Sequence, residues 1–522
     1  MPRSKDNPAD RTVTSPPSGT EEAGGGPLAS PAPAALGADF LQLSIDAAPV
    51  GGRADWLARQ LRTAIGDGRL PVGSKLPASR ALAADLRVSR GVVTEAYRRL
   101  TEDGQVAGRG RGGTVVVAAP LAAPVPTAAT RPPAPFTGPP VPFTGPPGPD
   151  VFDALRTAPA RIDLSPGVPD LAAFPRAAWL RAERAVLRDV PAAALGYGDP
   201  RGTPSLRLAV ANWLARNRGI RVDPAEVLIV AGTAQALGLV VQVLQRDGIS
   251  AMAVEDPGSL GVRQHLGYWG LRTPPVPVDD QGIRVDALRA TGAPAVMLTP
   301  AHQFPTGVVL GGGRRRELLR WAGEGGLIVE DDYDAEHRYD RPPVPALRAM
   351  LAEHVWYAGS VSKLLAPALR VGWLLAPPRH RDALVDAKRF ADLGNAVLPQ
   401  YVLARLMESG ELERRLRLLR TRHRRRRDAM IASIRTHLPG AVVHGAAAGL
   451  HLTVTLARAA GSGFADTALA AAALAAGVKT HPLSWHSQNS HPPGLVLGYA
   501  AISPAAIAEG VATLGETLRR LR

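Results

Sequence analysis

The sequence predicts two folded domains: a large α/β domain and, ahead of it, a small helical domain that ends in a β-hairpin. After about residue 160, short apolar runs alternate with helical patterns, which is typical of buried strands in an α/β fold. These runs read "EVLIVAG", "AMAVEDP", "AVMLTP", "LIVEDDY", "HVWYAGS" and "RVGWLLA". Between residues 39 and 118, helical patterns separated by turn residues precede a glycine-rich hairpin. A proline-dense stretch separates the two domains.

Composition sets the domain boundaries. Residues 1–38 are rich in Pro, Gly, Ser and Ala and are predicted to form a disordered tail, because they cannot bury enough apolar surface to become ordered. Residues 39–118 form the small domain and residues 160–522 the large one. Residues 119–159 form a proline-rich linker, which favours an extended, semi-rigid spacer.

The overall composition excludes several classes of protein and site. The chain has no cysteine, so disulfides, thiolate metal sites and cysteine nucleophiles are excluded. Its 12 histidines lack metal-ligand spacing, and no metal site is predicted. The longest apolar run, 468–478, is too short to cross a bilayer, and the polar N-terminus has no apolar signal core. We therefore expect a cytoplasmic protein, and its net charge of +15 suggests a polyanionic partner.

The small domain is predicted to be a winged helix-turn-helix. Its first helix carries four apolar residues on one face, namely Trp56, Leu57, Leu61 and Ile65. Ser79 and Ser89 are predicted to cap the second and third helices. In this fold the last helix enters the major groove of DNA and the β-wing meets the backbone or the minor groove. From Arg53 to Thr114 there are 12 Lys and Arg against 6 Asp and Glu, several of them at helix starts and in the wing, where phosphates would lie.

The stretch from "AIGDGRLPVGSKLPASR" to "RGRGGTVV" resembles the winged-helix signature of the GntR family. In that family the arginine that ends the "LPxSR" motif, the start of the third helix and the wing contact DNA. The resemblance implies double-stranded operator DNA as a partner and these contact residues: Arg80, Ser89, Arg90, Gly91, Thr94, Arg109, Arg111 and Gly112. Relatives often carry threonine where this chain has Gly91, which leaves base readout at that position open.

A lysine in "YAGSVSKLLAPALRVGW" points to a cofactor site. Lysine forms a Schiff base with an aldehyde, and it does so best where desolvation or nearby positive charge lowers its pKa. Around Lys363, the side chains of Ser360, Ser362 and Arg370 could bind an anion. An aldehyde that carries a phosphate is pyridoxal 5′-phosphate (PLP), which also needs an acid opposite its ring nitrogen. "LIVEDDYDAEHRY" offers that acid, and "AGTAQAL", from Ala231, offers a helix start whose free N–H groups could hold the phosphate.

The large domain resembles the aspartate-aminotransferase fold, fold type I of the PLP enzymes, and the whole chain resembles the MocR/GabR-type transcriptional regulators. The matching motifs are "YGDPRGTPSLR", "EDPG", "TPAHQFPTG", "EDDYDAEHRY" and "GSVSKLLAPALRVGW". By this resemblance Lys363 carries the PLP Schiff base, and Asp331, or Asp332 if the register differs by one, pairs with the ring nitrogen. Tyr333 would hydrogen-bond the phenolic oxygen. The implied phosphate-binding residues are Ser360, Ser362, Arg370, Gly232, Thr233 and Ala234.

Tyr197, in the "YGDP" motif, has two interpretations. By the resemblance it reaches the phosphate bound in the partner subunit of a head-to-tail homodimer. The alternative is a core aromatic beside a turn.

Three departures from the aminotransferase pattern concern the substrate side of the site. Relatives have an aromatic residue after "EDPG", whereas this chain has Ser259. Aminotransferases have asparagine before "PTG"; here Phe304 stands there, so His302 or Gln303 would have to supply the missing hydrogen bond. Near the C-terminus, "GLVLGYA" around Leu495 lacks the arginine that clamps a substrate carboxylate. The cofactor site is therefore expected to be nearly complete and the amino-acid site incomplete.

These observations favour a PLP-dependent transcriptional regulator over an active aminotransferase with a DNA-binding head. The large domain is expected to sense PLP or a small amine or amino acid, with at most residual transaminase activity and a role in vitamin B6 metabolism. A cytoplasmic, nucleoid-associated homodimer with no membrane partner is expected. The basic run Arg422–Arg427 is interpreted as a solvated helix, the alternative being contact with bent operator DNA.

Overall fold

The computed structural model describes residues 43, 45, 48, 49, 51–110, 113–118, 143, 145–339, 344–456 and 465–521. The chain divides into two compact units, Met1–Thr137 and Gly138–Arg522. The predicted tail, 1–38, and most of the predicted linker lie outside the described residues.

The small unit is built from three helices and a hairpin, as the sequence predicts. These elements are α1 (Arg53–Gly66), α2 (Ser79–Asp85), α3 (Arg90–Glu102), β1 (Val106–Gly108) and β2 (Thr114–Val116). The two strands are antiparallel, with Val106 opposite Val116. The four apolar residues predicted on the inner face of α1 are all buried in one core. The Tyr97 hydroxyl on α3 donates to the Pro77 carbonyl at 2.8 Å, which ties α3 to the turn before α2.

The predicted helix caps hold only in part. Ser79 is the first residue of α2, and the cap position belongs to Ala78. The Ser79 hydroxyl instead accepts a hydrogen bond from Arg90 Nε at 3.3 Å. Ser89 does occupy the cap position of α3, with an extended backbone, but its side chain makes no capping hydrogen bond.

The large unit holds the remaining helices and strands of the described residues. The helices are α4 (Val151–Thr157), α5 (Arg176–Asp189), α6 (Pro204–Arg218), α7 (Thr233–Arg246), α8 (Leu260–Tyr268), α9 (Val285–Ala290), α10 (Gly312–Gly323), α11 (Arg381–Asp392), α12 (Val397–Glu408), α13 (Glu411–His437), α14 (Asp466–Ala475) and α15 (Pro504–Leu521). The strands are β3 (Ile162–Asp163), β4 (Leu228–Val230), β5 (Met252–Asp256), β6 (Pro275–Asp279), β7 (Gly282–Ile283), β8 (Ala295–Leu298), β9 (Leu327–Asp332), β10 (Val355–Ser360), β11 (Gly372–Leu375), β12 (Val442–His444), β13 (His451–Thr455), β14 (Val478–Lys479), β15 (His481–Pro482) and β16 (Gly494–Gly498).

An eight-stranded sheet in the order β4-β11-β10-β9-β8-β5-β6-β7 forms the centre of the large unit. The neighbours from β10 through β9, β8 and β5 to β6 are parallel, whereas β11 is antiparallel to both β10 and β4. Helices α7, α8 and α11 share one apolar core with the sheet, and α9 and α10 share another. Because both faces are covered, the strands are continuous apolar runs without alternation. All six runs predicted as strands are found in this sheet.

The C-terminal part of the large unit contains a second, smaller sheet. Strands β12, β13, β16 and β15 form an antiparallel sheet that shares an apolar core with α13, α14 and α15. Helix α4 joins this core through Val151 and Leu155, and Phe143 stacks on Trp485 with ring centroids 5.1 Å apart. The packed part of the large unit therefore begins before the predicted boundary at residue 160.

Among the described residues, no helix is both long enough and apolar enough to span a bilayer.

Candidate functional site

Lys363 lies in the loop after β10 and approaches the backbone of Gly167, which sequence reasoning missed. Its Nζ donates to the Gly167 carbonyl. Gly167 has φ of +78°, and a Cβ built there would lie 3.2 Å from Nζ, so glycine permits this close approach. Burial lowers the pKa of Lys363, while Asp334 and Asp331 act in the opposite direction. A lower pKa leaves more of the amine neutral and nucleophilic.

Asp331 and Asp332, adjacent on β9, have different environments. Asp332 accepts hydrogen bonds from Arg218 Nε and from the Tyr357 hydroxyl, and the Arg218–Asp332 ion pair is almost fully buried. Asp331 is also buried, but its Oδ1 has no hydrogen-bond partner among the described residues. Burial, with the nearby acids Asp332 and Asp334, raises the pKa of Asp331 to about 7. The geometry favours Asp331 as the acid for the ring nitrogen, since its Oδ1 is free among the described residues whereas Asp332 is already engaged in the fold.

The predicted phosphate-binding residues converge at the start of α7. Gly232 has φ of +90° and precedes the helix, whose first N–H groups, those of Thr233 and Ala234, have no acceptor within the helix. A Cβ built on Gly232 would lie 3.3 Å from the Arg370 guanidinium, which donates to the Ala231 carbonyl. A cation thus lies beside free N–H donors, an arrangement suited to an anion.

The two predicted serines lie on the neighbouring strand end. Ser360 ends β10 opposite Gly372 of β11, and its hydroxyl accepts from the Ser362 N–H at 3.4 Å. Because β11 also pairs with β4, which leads into α7, the sheet connects these serines to the Gly232 turn.

The structure distinguishes between the two candidates for the missing asparagine. Gln303 is occupied: its Nε2 donates to the Pro257 and Phe304 carbonyls, and its Oε1 accepts from Thr306. His302 Nδ1 lies 3.0 Å from the Tyr333 hydroxyl. His302 is therefore the residue that contacts Tyr333.

His486 packs against the turn around Ser259, where the resemblance implies an aromatic residue. The Ser259 hydroxyl accepts from the Val262 N–H at 3.3 Å and caps α8. The His486 carbonyl accepts from the Gly258 N–H at 2.7 Å, and its ring stands edge-on to Phe304 at 5.0 Å. Sequence reasoning had no signal for this contact, because the two segments are far apart in the chain.

The absence of the carboxylate-binding arginine is a property of β16. This strand lies in the interior of the antiparallel sheet, and all five of its residues are buried and uncharged. Arg263 reaches the same part of the unit from α8, but its Nη2 donates to the Trp485 carbonyl at 2.6 Å.

Tyr197 is not a core residue. Its side chain is 96% exposed, which excludes the alternative of a core aromatic beside a turn.

The basic run on α13 is largely engaged within the large unit. Arg422 and Arg426 both pair with the buried Asp170, at 3.1 and 2.9 Å. Arg427 donates to the Ala446 carbonyl, and His423 is fully buried. Of this run only Arg424 and Arg425 are exposed without such contacts among the described residues, so the helix is less solvated than predicted and most of its basic side chains serve the fold.

The predicted DNA-contacting residues form an exposed face of the small unit. Six of them are exposed, namely Arg80, Ser89, Arg90, Gly91, Thr94 and Arg109. No acidic partner of these three arginines occurs among the described residues, whereas Arg98 and Arg99 on the same helix pair with Glu95. Unpaired arginines are suited to phosphates. The other two predicted residues, Arg111 and Gly112, lie outside the described residues.

Gly91 lies in open surroundings. A Cβ built there would meet only the Ser89 hydroxyl, at 3.7 Å. The position therefore has room for a side chain, and glycine provides none at the start of α3.

Two family models match the chain, one on each unit. The model for bacterial regulatory proteins of the gntR family matches residues 54–116. The model for aminotransferase class I and II matches residues 160–512.

Two relatives are transcriptional or catabolic regulators. The chain is 32% identical over 464 residues to the probable rhizopine catabolism regulatory protein MocR of Rhizobium meliloti, which covers 88% of this chain and 92% of that protein. It is 31% identical over 397 residues to the HTH-type pyridoxine biosynthesis transcriptional regulator PdxR of Corynebacterium glutamicum, covering 76% and 81%.

Solved structures similar to the large unit are aminotransferases. LysN, an alpha-aminoadipate aminotransferase from Thermus thermophilus complexed with N-(5′-phosphopyridoxyl)-L-leucine, has a TM-score of 0.64 and 30% identity, covering 71% of this chain and 94% of that one. The multiple substrate aminotransferase of Thermococcus profundus has the same TM-score and 29% identity. These similarities confirm the predicted fold class.

Proposed function

This chain belongs to the transcriptional regulators that join a GntR-type DNA-binding domain to a PLP-dependent domain of aminotransferase class I and II, and on that premise we propose that its large domain senses PLP itself. Ligand binding to this domain would then change the affinity of the small domain for its operator. The proposal rests on β16, which carries no charged residue to bind a substrate carboxylate, although the residues for the cofactor are present.

The residues present fit PLP. The buried Oδ1 of Asp331 has no partner among the described residues and is complementary to a ring N–H. Bound PLP supplies an aldehyde for a lysine amine and an electron-withdrawing ring. Lys363 would hold the cofactor covalently, Asp331 would hold a proton at the ring nitrogen, and Tyr333 would donate to the phenolic oxygen.

The phosphate would be held at the start of α7 and the end of β10. The N–H groups of Thr233 and Ala234 and the guanidinium of Arg370 offer donors and a positive charge. Ser360 and Ser362 would add hydroxyl donors.

A sensor is favoured over an efficient transaminase because an α-amino acid needs two anchors. Its amine reacts at the cofactor and its carboxylate requires a fixed cation, for which a bidentate arginine is best suited. The apolar, uncharged β16 does not supply one. Arg263 is engaged with the Trp485 carbonyl and would have to break that contact.

We further propose a head-to-tail homodimer associated with the nucleoid. The 96% exposed Tyr197 supports this assembly, because an aromatic residue so exposed in one subunit is free to reach the phosphate bound in the other. In such a dimer each small domain would lie against the large domain of its partner.

Control of vitamin B6 metabolism is the proposed physiological role, and the name of the Corynebacterium glutamicum relative supports it. Deletion of the gene should change the transcript levels of PLP-synthesis genes, and complementation should restore them. Unchanged transcripts with and without added pyridoxine would contradict this role.

Arg90→Ala is expected to weaken operator binding by about 1–3 kcal/mol, because a bidentate contact to a base contributes in this range. Binding to random DNA should change much less. Fluorescence anisotropy titrations of both DNAs at one fixed salt concentration measure the difference, since phosphate contacts depend strongly on salt.

Arg98→Ala is the matched control for this variant. Arg98 lies on the same helix but is paired with Glu95 and Glu102. Arg98→Ala should leave operator specificity unchanged. Equal losses on operator and random DNA for Arg90→Ala would show that Arg90 contacts only phosphates.

A further inference from the structure

The ring of His302 lies between Tyr333 and Asp334. Its Nδ1 is 3.0 Å from the Tyr333 hydroxyl and 2.9 Å from Asp334 Oδ2. The side chains of His302 and Asp334 are 0% and 1% exposed, so water does not compete for these contacts. Asp334 was not among the residues predicted from the sequence.

The contact with Asp334 determines which ring nitrogen carries the proton. A carboxylate can only accept hydrogen bonds, so a 2.9 Å contact between it and Nδ1 requires a proton on Nδ1. The surroundings of the other nitrogen lead to the same tautomer. His302 Nε2 is buried and has no partner among the described residues.

Two glycine backbones enclose that second nitrogen. A Cβ built on Gly307 would lie 3.0 Å from Nε2, and one built on Gly449 would lie 2.7 Å from it. Because both positions are glycine, neither of them offers Nε2 a side-chain acceptor, and neither has room for one. A proton on Nε2 would be a buried donor without an acceptor, which is unfavourable.

We propose that Asp334, acting through His302, directs the hydroxyl proton of Tyr333 towards the phenolic oxygen of bound PLP. Because Nδ1 already carries a proton, it can donate to the Tyr333 oxygen but cannot accept from it. With Nδ1 closed to it, the hydroxyl proton of Tyr333 stays on the tyrosine, where burial and the nearby Asp334 also raise its pKa, and it can be donated to the cofactor. Asp334 is thus a positioning residue, and the inference rests on the proposed role of Tyr333.

A divalent metal ion is the competing explanation of this cluster. His302, Asp334 and His451 each offer one ligand atom, and these atoms lie within 4.8 Å of one another. His451 is already engaged through Nε2, which lies 3.0 Å from the Pro305 carbonyl. An ion on His302 Nδ1 would replace the proton that the hydrogen-bond chain requires, so the two explanations exclude each other.

The test uses the visible spectrum of the purified, PLP-loaded full-length protein. Asp334→Leu removes the acceptor while keeping the number and branching of the side-chain heavy atoms, so that His302 Nδ1 is able to accept the proton of Tyr333. We expect the yellow absorption band to shift or weaken in the same direction as in Tyr333→Phe. Adding Asp334→Leu to Tyr333→Phe should produce a smaller change than Asp334→Leu alone, because only the direct charge effect of Asp334 on Lys363 and Asp331 then remains.

A control and a rescue separate this role from a loss of buried charge or of folding. Glu336→Gln neutralises another buried acid two residues along, which has no described contact with His302, and should retain the parental spectrum. Adding His302→Phe to Asp334→Leu removes the competing acceptor and should restore part of the parental band. Thermal unfolding of each variant verifies that it is folded.

The possible failures are distinguishable. An unchanged spectrum in Tyr333→Phe would refute the proposed role of Tyr333. If the spectrum changes in Tyr333→Phe but not in Asp334→Leu, the role of Asp334 is refuted while that of Tyr333 stands. A full additional effect of Asp334→Leu in the double variant would refute the role of Asp334 in the same way. Stoichiometric zinc binding to the parent protein that Asp334→Leu abolishes would establish the metal site instead.

Discussion

Replacement of Lys363 by alanine should abolish covalent attachment of PLP. The Nζ of Lys363 donates to the Gly167 carbonyl. Burial lowers the pKa of this amine, whereas the nearby acids Asp334 and Asp331 raise it. The purified parent protein is expected to be yellow, and borohydride should fix the cofactor on Lys363. Lys363→Ala should be colourless after dialysis and should take up no label. Absorbance and peptide mapping by mass spectrometry measure both effects.

The other lysines of the described residues provide the controls. Lys388 is fully buried and donates to Gln235 at 2.9 Å and to Asp392 at 2.7 Å, so its amine is already satisfied. Lys479 is buried, with its Nζ 3.2 Å from the Arg156 carbonyl. Lys75→Ala, in the small unit, is the matched variant and should retain the yellow colour. Recovery of the label on Lys75, Lys388 or Lys479 would contradict the assignment of the site.

Sequence reasoning predicted the elements whose signals are local. Six apolar runs became strands of one sheet, because a strand covered on both faces leaves a continuous run that is readable from the sequence. The helix-turn-helix was also readable, since the buried face of α1 follows the helical period. The order of motifs then placed Lys363, the acids of β9 and the Gly232 turn in one domain.

The features that sequence reasoning missed depend on contacts between distant segments. The sequence predicts Asp331 but leaves Asp332 open if the register differs by one, and the buried Arg218, 114 residues away from Asp332 in the chain, distinguishes the two. The approach of Gly167 to Lys363 spans 196 residues and carries no motif. The engagement of Gln303, which leaves His302 as the contact of Tyr333, likewise depends on the backbone around Pro257. Contacts of this kind arise from tertiary packing, and local sequence patterns do not predict them.

Operator affinity is expected to respond to PLP and not to common amino acids. PLP can gain the covalent bond to Lys363, the phosphate donors at the start of α7 and the partnerless Oδ1 of Asp331, so its binding is favourable without a second ligand. An amino acid would leave its carboxylate facing the uncharged β16 and the neighbouring histidines. Burial lowers the pKa of His451 to about 3 and that of His481 to about 4, so these rings are neutral near pH 7 and cannot replace an arginine.

The expected size of the PLP response is about 5–150-fold in operator affinity, the range that corresponds to typical coupling free energies. Coupling of binding is reciprocal, so operator DNA should change the affinity for PLP by the same factor. Titrations of apo-protein on operator DNA with PLP, followed by an amino-acid panel on the PLP-loaded protein, measure both directions, with Lys363→Ala as the unresponsive control. Assays of keto-acid formation with the same panel should detect no efficient transamination. A strong response to one amino acid with none to PLP would overturn this interpretation and would mean that another arginine, with Arg263 the first to replace, binds the carboxylate.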